Sequence, residues 1–183
     1  MLPELVILVD EQNHVVGALP KSAVHTNNTP LHRGFSLFLF NSKNQLLLQQ
    51  RSHFKKTWPL IWSNSICGHP GVGESNVAAA RRRLKHELGI TQTKIKEIAP
   101  YKYKFIQDGV MENEICPILV GHSDQTPQPN PNEVETIKWI SWPNWLTEIK
   151  AHPHKYSPWC IEETHILTRL LQPHGKINPK LLS

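Results

Sequence analysis

The chain is short of cysteine, of glycine and of long apolar runs, and each shortage narrows what it can be. Three cysteines in 183 residues are an odd count with no framework spacing. A chain of this length can bury enough apolar surface to fold without disulfide staples, so reduced thiols and a cytoplasmic setting are expected. Nine glycines exclude a collagen-like or glycine-rich repeat. No apolar stretch approaches the ~18 residues that cross a bilayer. The longest, Leu5–Val9 and Leu37–Phe40, are strand-sized, and Met1-Leu-Pro-Glu4 lacks the basic start of a secretory signal. No membrane association is therefore expected. Internal repeats and low-complexity segments are missing too.

Hydrophobic residues make up 39% of the chain and charged residues 19%, the balance of a globular protein. The net charge of +5 is compatible with an anionic partner. Its basic residues lie in Lys55-Lys56, Arg81-Arg82-Arg83 and Lys102/Lys104, not in one run, and no stacking module accompanies them. A small phosphorylated ligand is expected ahead of nucleic acid.

The pattern of elements is α+β. Leu5–Val9 reads as a buried strand and residues 20–34 as a long loop. Phe35–Phe40 and Gln45–Gln50 flank the turn Asn41–Asn44 as a hairpin. Ile61–Cys67 reads as a strand. Ser75 as N-cap and Gly89 as C′ residue bracket a helix whose apolar stripe is Val77, Ala80, Leu84 and Leu88. Tyr101, Tyr103 and Phe105 alternate with lysines in a strand, Asp108-Gly109 turns, and Met111–Val120 reads as the next strand. A Pro/Asn/Gln loop over 123–133, a strand Val134–Trp142, a helix opening at Pro143 and a last helix from about Cys160 to Leu171 complete one domain over 1–183. Its core is expected at about 4–172, with a mobile tail after it.

Three segments can carry chemistry. In Gly68–Ile90 a glycine-rich loop feeds a helix, the kind of start that attracts anions. Its polar face is expected to carry Arg83 and Glu87 one turn apart. Glu87 sits in the last turn, where the helix dipole disfavours it, so it is not obviously there for the helix. Cys67 abuts this loop and His69, surroundings that favour a reactive thiol. Glu112 and Glu114 share one face of a strand in apolar company, where a cation or a shared proton between them is cheaper than two unpaired charges. With His25, His32 and His69 they make an N₃O₂ set suited to Zn²⁺, Mn²⁺ or Fe²⁺ more than to Ca²⁺.

Gly68, Glu74, Arg82, Leu84, Glu87, Gly89 and Ile90 fall in the register of the Nudix box, although Arg83 and His86 replace two of its glutamates. A Nudix-like α/β/α sandwich of mixed sheets around the box's loop and helix follows. Further stretches resemble the type I isopentenyl-diphosphate isomerases. They are Lys21–His25, Leu31-His32-Arg33, Trp62–Pro70, Gly73–Asn76, Arg82-Arg83 with Glu87–Gly89, Glu112–Pro117 and Ser157-Pro158-Trp159.

That resemblance implies conversion of isopentenyl diphosphate to dimethylallyl diphosphate through a carbocation, in isoprenoid biosynthesis. Cys67 and Glu114 become the two proton-transfer groups, with Glu114 the better acid, Tyr103 hydrogen-bonded to its carboxylate, and Trp159 laid over the cation. His25, His32, His69, Glu112 and Glu114 would hold one divalent ion, Mn²⁺ or Zn²⁺. Glu87 would bridge Mg²⁺ to the substrate diphosphate, which Lys21, Arg51, Lys55 and Arg83 would bind. A monomer or weak homodimer is expected. The alternatives are a Nudix hydrolase of a prenyl or nucleoside diphosphate, which needs the acids that Arg83 and His86 replace, and a catalytically silent Nudix-fold binding module.

Overall fold

The computed structural model describes residues 4–171. Strand β1 (Leu5–Val9) turns back as β2 (Val15–Pro20), an edge strand that the sequence reading did not anticipate. The stretch expected as loop holds one helical turn, α1 (Lys21–Val24), and the short β3 (His32–Arg33). β4 (Phe35–Phe40) and β5 (Gln45–Arg51) meet at the expected turn. The strand expected over Ile61–Cys67 is two pieces, β6 (Trp62–Ser63) and β7 (Ile66–Gly68). Side chains between them capture backbone groups and so compete with the ladder. Ser65 Oγ accepts from Leu39 N and donates to Leu47 O, while Asn64 Nδ2 donates to Leu37 O and Ile66 O.

α2 (Asn76–Leu88) has the expected caps. Ser75 Oγ accepts from Ala78 N, and Gly89 takes the left-handed conformation that ends the helix. Its polar face is not as expected, because Arg83 and Glu87 are buried. β8 (Lys94–Ala99) follows, another strand not anticipated. β9 (Lys102–Gln107) and β10 (Val110–Ile115) pair across Asp108-Gly109, both at positive φ. β11 (Ile118–His122), β12 (Val134–Ser141), α3 (Trp142–Ala151) and α4 (Pro158–Leu171) end the described chain. The tail expected to be mobile, Pro173–Ser183, lies outside the described residues.

The strand expected over Met111–Val120 is broken at Cys116-Pro117, and the break builds the site. Proline has no N–H to give a central ladder. The chain therefore leaves one sheet, ordered β2-β1-β3-β10-β9, and enters a second, ordered β12-β5-β4-β11-β8. The segment β3–β4 makes the same crossing in parallel beside it, with Gly34 N donating to Ile115 O and Ser36 N to Pro117 O.

The second sheet is covered on both faces, which is why Phe35–Phe40 is apolar at nearly every position. Leu37, Leu39, Leu47 and Leu119 pack under Ala80, Leu84 and Leu88 of α2. Phe38, Phe40, Leu46 and Val120 point the other way, against Trp142 and Trp145 of α3 and Leu167 of α4. Truncating a fully buried residue such as Leu84 to alanine should cost ~2–5 kcal/mol.

Candidate active site

The crossing from one sheet to the other places acidic and imidazole groups side by side. Register opposes Glu114 to His32 on β3 and to Tyr103 on β9. His25 follows α1, and His69 follows β7 on the second sheet. The three imidazole centroids lie 5.3, 5.5 and 5.1 Å apart, a closed triangle. Glu114 Oε1 is 3.3 Å from His32 Nε2 and 3.1 Å from His69 Nε2.

Donor chemistry identifies what this cluster can hold. One ligand atom each from His25, His32, His69 and Glu114 falls within 4.8 Å of the others, near the roughly 3–4 Å separations across an ion bonded at ~2.1 Å. His32 Nδ1 sits 2.9 Å from Pro30 O, which fixes the tautomer and leaves Nε2 bare toward the cluster. The Nε2 atoms of His25 and His32 are buried without a hydrogen-bond partner, a costly arrangement that an ion relieves. Three imidazoles and a carboxylate fit a borderline divalent metal. The fifth expected ligand, Glu112, stands to one side, with Oε2 3.0 Å from His25 Nε2.

His25, His69, Glu112 and Glu114 line a cleft of about 660 Å³, with His32 buried behind them. Cys67 enters from β7 and Glu114 from β10, so the expected proton-transfer pair comes from different sheets onto one cavity. Trp159 also lines the cleft. Its ring stacks on Tyr103 at 5.7 Å and meets Trp58 edge-on at 5.2 Å, and its Nε1 donates to Ser63 Oγ. Tyr103 corrects one expectation. Among the described residues its hydroxyl makes no hydrogen bond to Glu114, because the ring is stacked between Tyr101 and Phe105 along the strand face.

Cys67 corrects another. Its Sγ donates to Asn64 Oδ1 at 3.0 Å and lies 3.5 Å from Ser36 Oγ. Close protein packing, then the Glu163 carboxylate, push the thiol up to about 12, the reverse of an activated thiol. Burial also pushes the Glu114 carboxyl upward, but the adjacent His32 and His69 imidazoles outweigh it and hold it well below the usual range. Both shifts favour a proton on Cys67 over one on Glu114, whereas the sequence, which does not decide between the two, made Glu114 the better candidate acid.

Lys21, Arg51, Lys55 and Arg83 line the same cleft. Lys21 Nζ donates to Glu4 Oε2 at 3.0 Å. Arg51 is anchored on the Thr57 and Trp58 carbonyls, with its guanidinium 6.0 Å from the Trp159 centroid. Glu133, which sequence reasoning passed over inside a Pro/Asn/Gln loop, pairs with both Lys55 and Arg83. Burial raises its carboxyl, but those two cations bring it down to about 2. Glu87 does not line the cleft. Arg83 Nε and Nη2 donate to its Oε1, and Gln49 Nε2 donates to Oε2. Glu74 is likewise engaged, by Arg82 Nε and Nη2 and by Gly71 N.

Sequence reasoning also left Asn64 and Ser36 without a role, and it did not single out Glu163. Asn64 belongs to the Ser63-Asn64-Ser65 run, where consecutive small polar residues between apolar ones were the available signal.

Comparison with known proteins bears on the fold and the family. The NUDIX domain model matches residues 30–160. Two solved structures share the fold of the chain. A Deinococcus radiodurans protein has a TM-score of 0.68 and 24% identity, covering 91% of this chain and 98% of its own. The MutT protein of Methanosarcina mazei has a TM-score of 0.63 and 17% identity, covering 78% and 96%. Curated relatives named isopentenyl-diphosphate Delta-isomerase are far nearer in sequence. That of Klebsiella pneumoniae is 42% identical, over 89% of this chain and 90% of the relative. That of Paenarthrobacter aurescens is 44% identical, over 85% and 86%. With 40–44% identity across nearly the whole length, and not only across the Nudix region, the chain belongs to the isopentenyl-diphosphate Delta-isomerase family of the Nudix superfamily.

Proposed function

We propose that this single domain moves the double bond of isopentenyl diphosphate to give dimethylallyl diphosphate, with Cys67 and Glu114 as the groups that give and take the proton. The observation that carries the reading is that both line one cleft from different sheets, with Trp159 and the basic side chains Lys21, Arg51, Lys55 and Arg83 also in its lining. An unactivated alkene is a weak base, so protonation of its terminal carbon develops a tertiary cation. One group supplies that proton as a C–H bond forms. The other removes a proton from the carbon two positions away as the new double bond closes. No net proton is consumed.

The indole face of Trp159 stabilises the cation without offering a nucleophile. Lys21, Arg51, Lys55 and Arg83 anchor the diphosphate, and that binding energy orients a five-carbon tail with no polar handle of its own. His25, His32, His69 and Glu114, with Glu112 beside His25, would hold Zn²⁺ or Mn²⁺. Such an ion, when bound, fixes the Glu114 carboxylate and tunes its proton affinity. For Glu87 to reach an Mg²⁺ carried on the diphosphate, Arg83 must first release it. The three free cysteines support a reducing, cytoplasmic setting. Among the described residues no helix is long and apolar enough to cross a membrane.

Hydrolysis is the less favoured chemistry. Arg83 stands where the Nudix box has a glutamate, and Glu74 and Glu87 are both occupied by arginines. Incubation with isopentenyl diphosphate and divalent metal should leave the phosphorus NMR pattern of an intact diphosphate while the product's second methyl appears. Phosphate release without a shifted double bond would refute the isomerase reading.

A further inference from the structure

Cys67 and Trp159 are both held from outside the cleft by one buried polar cluster. It consists of Ser63 on β6, Asn64 just after it, and Ser157 just before α4. All three are buried, and none of them lines the cleft. Polar groups in such a place cost stability unless each finds a partner, and here each does.

The Asn64 carboxamide sets the direction of every bond in the cluster. Its Nδ2 donates to Leu37 O at 3.2 Å and to Ile66 O at 2.9 Å, two atoms that can only accept. The amide orientation is thereby fixed, and Oδ1 is left as an acceptor alone. Two donors reach that oxygen, Ser63 Oγ at 2.8 Å and Cys67 Sγ at 3.0 Å. An indole nitrogen only donates, so Trp159 Nε1 gives its proton to Ser63 Oγ at 3.2 Å. Ser63 has spent its one proton on Asn64, so the Ser157 hydroxyl, 2.8 Å away, donates to Ser63 in turn. The Cys67 S–H therefore points at an oxygen outside the cleft lining. Ser36 Oγ, 3.5 Å from the sulfur, meets its lone pairs.

We propose that Asn64 is a positioning residue for the reaction: its carboxamide oxygen anchors the Cys67 thiol directly and the Trp159 indole through the Ser63 hydroxyl, and so fixes where both stand in the cleft. It touches no substrate. The inference rests on Cys67 and Trp159 serving the isomerisation, and its spectroscopic test does not.

The S–H stretch falls in a window free of other strong protein bands, and subtracting the C67A spectrum isolates Cys67 from Cys116 and Cys160. In substrate-free wild type the Cys67 band should lie below that of an alkanethiol in hydrocarbon, which has no acceptor. N64L fills the site without an acceptor and should move the band up to that reference. S63A leaves Asn64 Oδ1 to Cys67 alone and should hold the band where it is or lower it, which keeps the test open if N64L fails to fold. A wild-type band at the alkanethiol frequency, or one that rises in S63A, overturns the proposal.

Kinetics then separate positioning from packing. S63A frees the indole and should lose about fivefold in kcat, the scale of one neutral hydrogen bond. N64L frees the thiol as well and should lose on the order of 10²-fold, the scale of a misplaced reacting group. KM should hold in both, because the basic side chains are untouched. Wild-type kcat in S63A and in N64L would reduce the cluster to packing and overturn the proposal. A wild type that binds substrate but never isomerises it would refute the functional reading and leave the S–H result standing.

Discussion

Gly34 is fitted against Glu114: a methyl group on its Cα would lie 1.9 Å from Glu114 Oε2 and 2.7 Å from Cδ. No side chain fits there unless the carboxylate moves. Because Gly34 is the point at which β3–β4 passes from one sheet to the other, the backbone cannot easily yield either. Gly34→Ala should displace Glu114 by about an ångström and lower kcat on the order of 10²-fold, the usual scale for misplacing a reacting group. Metal affinity should fall with it. Wild-type kcat and wild-type metal affinity in this variant would show that Glu114 does not need its present position.

A divalent ion held by the histidine triangle should act as a stability ligand. At about 100 times its Kd, Zn²⁺ or Mn²⁺ should add ~2.7 kcal/mol. For a chain of this size that is a rise in Tm of roughly 5–10 °C. His32→Ala removes a bare Nε2 and should abolish most of that rise. Scanning calorimetry of chelator-treated and metal-loaded samples decides it, and an undiminished rise in the variant would place the ion elsewhere.

Cys67 should behave as a poor nucleophile despite its position. With the thiol pushed up to about 12, alkylation by iodoacetamide at pH 8 should run well below the rate of an ordinary exposed cysteine. Cys67→Ala should cut kcat by ~10²–10⁴, the range for losing a proton-transfer group, while a non-reacting diphosphate still binds. Fast alkylation, or retained isomerisation in Cys67→Ala, contradicts the assignment.

Glu133 gives an acid limb to stability. Its carboxyl falls from an ordinary 4.5 to about 2 in the folded protein. The stabilisation is therefore present above the unfolded value and is lost as pH falls from 4.5 toward 2. The ceiling is about 3 kcal/mol. Unfolding free energies of wild type and Glu133→Gln should converge across that window, and parallel curves would mean that Lys55 and Arg83 do not bind Glu133 in solution.

What could be read from the chain beforehand was whatever local pattern encodes. Ser75 and Gly89 bracketed α2 because caps are local chemistry, and Phe35–Phe40 and Gln45–Gln50 stood out as strands on either side of the Asn41–Asn44 turn. β2 and β8 went unseen. Val15–Pro20 and Lys94–Ala99 are edge strands with exposed or charged positions, so pairing makes them strands more than composition does. The site followed the same division. Cys67, Glu114 and the three histidines stood out in the residues themselves, the basic residues came from the family resemblance, and all but His32 line one cleft. The burial of Glu87 behind Arg83 and the pairing of Glu133 depend on contacts between distant segments. No one-dimensional pattern carries those.

The most direct test of proton transfer is turnover of isopentenyl diphosphate in D₂O with the metal-loaded protein, followed by proton and deuterium NMR. Deuterium should enter the new methyl group of dimethylallyl diphosphate, with one hydrogen lost from the carbon next to the diphosphate-bearing methylene and both phosphates intact. Product formed with no deuterium in that methyl, at early conversion and with solvent-exchanged enzyme, would contradict protonation by Cys67 or Glu114.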